Sequence, residues 1–263
     1  MLDEPRSGRL TAWGNALLAG LAAPDDVAQR IVADDAVHRM AYLPGENGPV
    51  GLTLGLGRLR ALGVTGLRLA LPVAGHPLGL SGPPEFNDLA LEAGEAVLTA
   101  GAVPLGLVPR VHEAGPEGDV HVEVEWRCLP VRDAPPADVP SLGEAERELA
   151  EALRDATAAL TALDVAGTGG PTAHAALEAY RARAERGREV LAPGYPARAV
   201  RVLELAQRVA ALVEIAGGGH GAAVSASQIA ARADLLRPVE RTARRAQVAA
   251  YNAYVEEAER RRG

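Results

Sequence analysis

The chain has 263 residues, 48% of them hydrophobic and 23% charged, with a formal net charge of -7. That is the composition of an ordinary globular protein, long enough for two domains. All 27 basic residues are arginine, which excludes a Schiff-base lysine and a phosphate-loop lysine, and the single cysteine, Cys128, excludes an intrachain disulfide or a cysteine-based zinc cluster.

Aromatic residues make up only 3%, so the core must be built from Ala, Leu and Val, which bury less area per side chain and need close backbone approach. Residues 1–139 hold 18 acidic residues and 10 arginines, a balance of -8; residues 140–263 hold 16 and 17, a balance of +1. Neither half is a polybasic nucleic-acid binder. The opening MLDEPRSGR is mixed in charge and lacks an apolar signal core, and no long uncharged apolar run exists, so neither a leader nor a membrane span is expected.

Leu10, Trp13, Leu17 and Leu21 recur at helical spacing. Pro24 opens a second helix, with Asp25 and Asp26 in its first turn, where carboxylates suit the helix dipole. The acidic pair Asp34–Asp35 is expected on a solvated helix surface. His38 to Leu43 reads as a strand ending in the turn cluster PGENGP. Residues 51–62 fit either a strand or a helix; Leu59, Leu62 and a capping Gly63 favour the helix, against three glycines. Residues 38–72 then form a strand–helix–strand unit with its two strands parallel.

The stretch from Gly66 to Asn87 reads GLRLALPVAGHPLGLSGPPEFN. Leu67, Leu69 and Leu71 alternate with Arg68, Ala70 and Pro72 as in a half-buried strand, and a loop rich in glycine and proline follows. Pro84 to Ala93 is expected as a short helix, with strands over 95–99 and 103–111. Residues 120–128 are the clearest strand, with Val120, Val122, Val124, Trp126 and Cys128 on one face and His121, Glu123, Glu125 and Arg127 on the other. Its wet face argues for antiparallel pairing, and Gly115–Gly118 suggests a hairpin with the strand before it.

The run PVRDAPPADVP over 130–140 has linker composition and marks the domain boundary at 139. Beyond it the pattern is helical. Ser141 and Glu144 form a capping box, followed by a seam from Leu142 to Leu163. A second helix runs from Ala173 through Leu177 to Leu191, a third carries Val202, Ala206, Val209 and Val213, and a second capping box at Ser225 opens a last helix with its seam from Leu236 to Ala253. Average spacing near 3.5 and short breaks imply an antiparallel helical bundle. The fold class expected is therefore α+β, a mixed sheet of about five strands with helices over 1–139, followed by an antiparallel α-helical bundle over 140–263.

Ser81 in GLSGP resembles a nucleophile elbow only superficially, because Pro83 stands where the second glycine is needed. His76 as base and Glu85 as orienter would complete a triad of hydrolase or transferase type, which is the alternative reading. The preferred one is ligand binding, with His76, Ser81, Glu85 and Asn87 as polar groups and Arg68 pairing an anion. His112, Glu113, Asp119 and His121 flank the hairpin, but their spacing matches no metal motif. No metal and no cofactor is expected. The Gly217–Gly221 run follows a helix and is a cap rather than a phosphate cradle. Arg181, Arg183, Arg186 and Arg188 interleave with glutamates, whereas Arg232, Arg237, Arg241, Arg244 and Arg245 are less balanced and suit an acidic partner.

The run from LTAWGNALLAGLAAPDD through GVTGLRLALPVAGHPLGLSGPPEFN resembles the uncharacterised hypothetical proteins of high-GC bacteria, over most of the chain. The resemblance implies a bacterial, intracellular setting and transfers no residue role. The sequence thus points, ahead of the hydrolase or transferase alternative, to a cytoplasmic, non-catalytic small-molecule- or protein-binding or regulatory module, with a small-molecule ligand and a homodimer through the C-terminal helices as candidate partners, and with no nucleic acid and no membrane.

Overall fold

The computed structural model describes residues 4–116, 120–162, 191–218 and 226–261. They fall into two compact units. One comprises Glu4–Val139, Leu191–Pro196 and the chain from Tyr251 onward; the other lies within Pro140–Val190 and Ala197–Ala250.

The first unit is built on a mixed sheet. In chain order come α1 (Arg6–Leu18), α2 (Pro24–Val32), β1 (Val37–Ala41), β2 (Val50–Gly51), α3 (Leu52–Ala61), β3 (Val64–Ala70), α4 (Pro84–Ala93), β4 (Ala96–Gly101), β5 (Leu105–Ala114) and β6 (His121–Pro130). The six strands lie in the order β2-β1-β6-β5-β4-β3. Only β1 and β6 pair in parallel. The expected hairpin is present, its ladder running from Leu105↔Pro130 to Ala114↔His121.

The strand–helix–strand unit is not the parallel one expected. Residues 52–61 are helical, but three strands separate β1 from β3, and the intervening pairings leave the two antiparallel. The short-range pattern is right; the partner of β1 is supplied by β6, more than eighty residues later.

One sheet face carries Met40, Leu67, Leu69, Leu107 and Trp126, all fully buried, together with the buried residues of α1, α2 and α3. Gly55 explains why a glycine-rich segment is nonetheless helical: a Cβ there would meet Met40 Sδ at 2.5 Å. The close approach of α3 to β1 outweighs a propensity cost of about 1 kcal/mol. On the other face α4 lays Phe86 and Ala90 on Ala70, Ala96, Leu98 and Val108. Beyond α4 that face is open, and Arg39, Arg110, His112 and Glu123 stand in solvent.

β3 is an edge strand, and its open side is closed by side chains. Asn15 of α1 accepts from the Leu67 N–H at 2.7 Å and donates to the Leu67 carbonyl at 3.0 Å. Asn252 does the same for Leu69, at 2.6 and 3.0 Å. Each amide side chain thus stands in for one residue of a missing neighbouring strand. Both asparagines are buried, so without them four backbone groups would be desolvated and unpaired.

The second unit is helical among the described residues. It holds α5 (Leu142–Ala162), α6 (Ala197–Gly218) and the start of α7 (Ala226–Arg260), whose end from Tyr251 belongs to the sheet unit. Ser141 and Glu144 cap α5 reciprocally: the Glu144 N–H donates to Ser141 Oγ at 3.3 Å, and the Ser141 N–H donates to Glu144 Oε2 at 2.9 Å. The alanine-rich seam is buried at Leu142, Ala145 and Leu149, at Val202, Ala206 and Val209, and at Leu236, Val239, Ala243 and Ala246. Three of the arginines read as facing an acidic partner pair inside this unit: Arg237 with Asp234 at 2.5 Å, Arg244 with Glu240 at 3.3 Å and Arg245 with Glu148 at 3.2 Å. The helix through Ala173 and Leu177, its Arg181–Arg188 face and the capping box at Ser225 lie outside the described residues.

Candidate functional site

The loop after β3 is folded back on the strand that precedes it. The Leu71 N–H donates to the Leu78 carbonyl at 3.1 Å, Val73 and His76 close a tight turn at 3.0 and 2.8 Å, and the Gly79 N–H donates to the Ala137 carbonyl at 2.8 Å. Gly79 has φ 107°, and a Cβ on it would lie 2.9 Å from Ala70 Cβ and 3.1 Å from the Leu69 carbonyl oxygen. Only glycine gives this conformation and this clearance. Further on, the Gly82 N–H donates to Asn87 Oδ1 at 3.0 Å, and Gly82 in turn accepts from the Arg132 N–H at 3.1 Å.

These contacts shape a cavity of about 190 Å³ beside the sheet edge, lined by Arg68, Ser81, Leu98, Val131, Arg132 and Glu259 among others. Of the five ligand residues expected from sequence, Arg68 and Ser81 meet there. His76, Glu85 and Asn87 lie outside the lining. His76 sits half-buried in its turn, Glu85 is exposed in the first turn of α4, and Asn87 acts from behind by fixing Gly82. The Ser81 hydroxyl donates to the Arg132 carbonyl at 3.4 Å, a backbone partner rather than a base.

The Arg68 guanidinium pairs with Glu259, near the end of α7, and its side chain is 18% exposed against 49% for Glu259. Arg132 has no carboxylate partner among the described residues, and its side chain lies along Gly82. Sequence reasoning missed Arg132 and Glu259 because both reach the cavity from distant parts of the chain. The placement of Arg132 in a proline-rich stretch read as linker hid it further.

A second polar cluster, also missed, lies under α1. Asp35 is not on a helix surface, as expected, but in the turn after α2 with its side chain 8% exposed. Arg6 grips it through Nε and Nη2 at 2.9 and 2.8 Å, Arg9 at 2.9 Å, and His38 Nε2 at 2.9 Å. Burial pushes the Asp35 carboxyl up, but hydrogen bonds from Arg6 and His38 and the charges of Arg6 and Arg9 win and hold it below its usual range. Trp126 Nε1 donates to His38 Nδ1 at 3.3 Å. Indole nitrogen only donates, so Nδ1 accepts and Nε2 carries the proton given to Asp35. Burial also lowers the His38 pKa, against the pull of Asp35. With both ring nitrogens occupied this Asp–His pair is a brace, not a general base.

His112 lies opposite Glu123 and His121 opposite Ala114, so the two histidines are diagonal neighbours on the open face, with Glu113 on the other. Asp119 is outside the described residues. Among the described residues no group of three or more His, Cys, Asp or Glu is placed to hold a metal. Cys128 is buried, which pushes its thiol up to about 11 and leaves it protonated and inert near neutrality. No helix among the described residues is long and apolar enough to cross a membrane.

Comparison with known proteins gives the setting. Residues 7–140 match the model of the Rv1486c-like protein, N-terminal domain, and residues 143–248 that of the Rv1486c-like protein, C-terminal domain. The chain is 32% identical to uncharacterized protein Rv1486c of Mycobacterium tuberculosis (strain ATCC 25618 / H37Rv), over 95% of this chain and 96% of the relative. It is 30% identical to uncharacterized protein ML1804 of Mycobacterium leprae (strain TN), over 95% and 97%. No solved structure matches the chain. These relatives are high-GC bacterial proteins with no stated activity, in keeping with the resemblance drawn from sequence, and the chain belongs to the Rv1486c-like protein family.

Proposed function

We propose that this protein is a non-catalytic, cytoplasmic binding or regulatory module that works as two domains with the chain passing between them near residue 139, the sheet domain also taking Leu191–Pro196 and the chain from Tyr251 onward. The first holds a small molecule in the cavity at Arg68 and Ser81. The helices of the second form an antiparallel bundle that associates with a second copy of the chain. The observation that carries the binding role is the meeting of Arg68 from the core strand, Ser81 from the stiff loop and Arg132 from the linker at one cavity of about 190 Å³. Small-molecule sites are concave and carry a few fixed polar groups; this one has a mostly polar lining, is below the common size of about 300–1,000 Å³ and suits only a small ligand. No observation favours the hydrolase or transferase reading, since the Ser81 hydroxyl is directed to a backbone carbonyl.

The test is a fragment screen by ¹H–¹⁵N NMR on the full chain. Binding fragments should move the amides of Ser81, Gly101 and Arg132 together, and a set of several hundred small polar fragments that moves none of them removes the proposal. Light scattering tests the second half: a strictly monomeric particle at high concentration rules out self-association.

A further inference from the structure

We infer that the molecule held in this cavity is a small monocarboxylic acid, and that the Glu259 carboxylate is its built-in competitor for Arg68. The inference rests on the reading of the cavity as a ligand site and goes further by naming the chemistry of the ligand and the device that regulates access.

The argument starts from what Arg68 leaves unused. A guanidinium has five N–H donors in a planar fork that matches a carboxylate. Only its Nη2 is engaged, by Glu259, and among the described residues its Nε and Nη1 donate to nothing. The Arg68 side chain is 18% exposed and forms part of the cavity lining. Unpaired charged donors of this kind favour an anionic acceptor.

A second guanidinium stands on the same lining. Arg132 is fixed at its backbone by the Gly82 carbonyl, 3.1 Å from its N–H, and its Nε and Cζ lie within 3.5 Å of where a Cβ on Gly82 would be. It has no carboxylate of its own among the described residues, so its charge is available to a guest.

The acidic residues then decide the class. Glu259 already sits on Arg68 as a carboxylate held through one nitrogen, and its side chain is 49% exposed and so free to swing into solvent. Asp133, the other acid of the lining, is exposed at the rim. Its charge opposes a second anionic group and so selects against dicarboxylates and phosphate dianions. Leu98 and Val131, both buried in the core beneath α4, give a mostly polar lining a small apolar area that suits a short aliphatic chain. A cavity of 150 Å³ holds benzene, so about 190 Å³ holds a guest of about eight non-hydrogen atoms.

Replacing Glu259 on Arg68 exchanges one carboxylate for another. The guest therefore gains the contact with Arg132 and a small apolar contact at Leu98 and Val131, against the loss of a half-exposed ion pair that is weak to begin with.

The experiment is an NMR titration of the full-length protein with butyrate, with its uncharged analogue butyramide and with inorganic phosphate. Butyrate should move the amides of Ser81, Gly101 and Arg132 saturably, and butyramide at the same concentration should not. Glu259→Gln should tighten butyrate binding about two- to fivefold, because the competing charge is gone. Arg132→Ala, at an exposed position, should weaken it about tenfold. Equal binding of butyramide overturns the carboxylate assignment while leaving the ligand site intact, and binding of phosphate alone overturns it in favour of a phosphoryl ligand. An unchanged affinity in Glu259→Gln overturns the competitor role. If butyrate is silent while other fragments bind, the ligand class fails alone; if nothing moves these amides, the cavity reading falls with it.

Discussion

Replacing Asn252 by Ala tests whether the open edge of the sheet is held by borrowed side chains. Asn252 is 1% exposed and exchanges two hydrogen bonds with the Leu69 backbone, at 2.6 and 3.0 Å. Alanine removes both and leaves one N–H and one carbonyl unpaired in a site from which water is excluded. Each unsatisfied buried group costs about 1–3 kcal/mol, so partial relaxation puts the loss at about 2–4 kcal/mol for the sheet unit. For a unit of this size that lowers Tm by about 4–16 °C. Denaturant unfolding followed by Trp fluorescence reads the stability, because Trp126 is buried in the sheet unit. Hydrogen exchange reads the position: the Leu69 amide should lose protection well before that of Leu107, which lies inside the sheet. Asn252→Asp should be at least as harmful, since it keeps the acceptor for the Leu69 N–H but turns a charge towards the Leu69 carbonyl. A loss below about 0.5 kcal/mol for Asn252→Ala, within the range of neutral surface substitutions, refutes the reasoning.

Three further outcomes are expected. A fragment of residues 1–140, which spans the family's N-terminal domain, lacks Asn252, Tyr195 and Tyr251 and exposes the Leu69 edge; it should aggregate on concentration, where the full chain stays dispersed, and a soluble, cooperatively folding fragment contradicts this. Gly79→Ala should cost about 2–4 kcal/mol in thermal or denaturant unfolding, from a positive φ that alanine disfavours and from a clash with Ala70, and a neutral result would mean that the loop after β3 is free to shift. Burial raises the Glu4 carboxyl to about 7, against the opposing charge of Arg9 and the Tyr251 hydroxyl 3.2 Å away. The folded state therefore holds this proton where the unfolded one has lost it, and the contribution is full below about 4.5 and declines as pH rises through 7. Glu4→Gln should flatten the stability profile between these pH values and stabilise the protein above pH 7 by at most about 3 kcal/mol; a profile identical to wild type removes the assignment.

Much of the local structure was legible in the chain. Alternation at Leu67 and Leu69, the proline that opens α4 and the reciprocal Ser141–Glu144 cap each act within a few residues, and each produced the element expected of it. The α+β class followed, because a strand with one wet face and helices with one apolar seam have few ways to bury themselves. Of the five candidate ligand residues, Arg68 and Ser81, named from the strand and its stiff loop, line one cavity, while His76, Glu85 and Asn87 share that loop without lining it.

What the sequence settled by itself are features whose energy is local: helix starts, strand faces, the absence of lysine and the lone buried thiol. Tertiary structure decided everything that depends on which distant segments meet. β1 took β6 as its parallel neighbour, the edge of β3 was closed by an amide nearly two hundred residues away, and Asp35 was drawn inside because Arg6 and Arg9 arrived to neutralise it. A periodicity says which side of an element avoids water, but a hydrogen bond or an ion pair exists only when two groups come within about 3 Å, and no pattern along the chain encodes that distance.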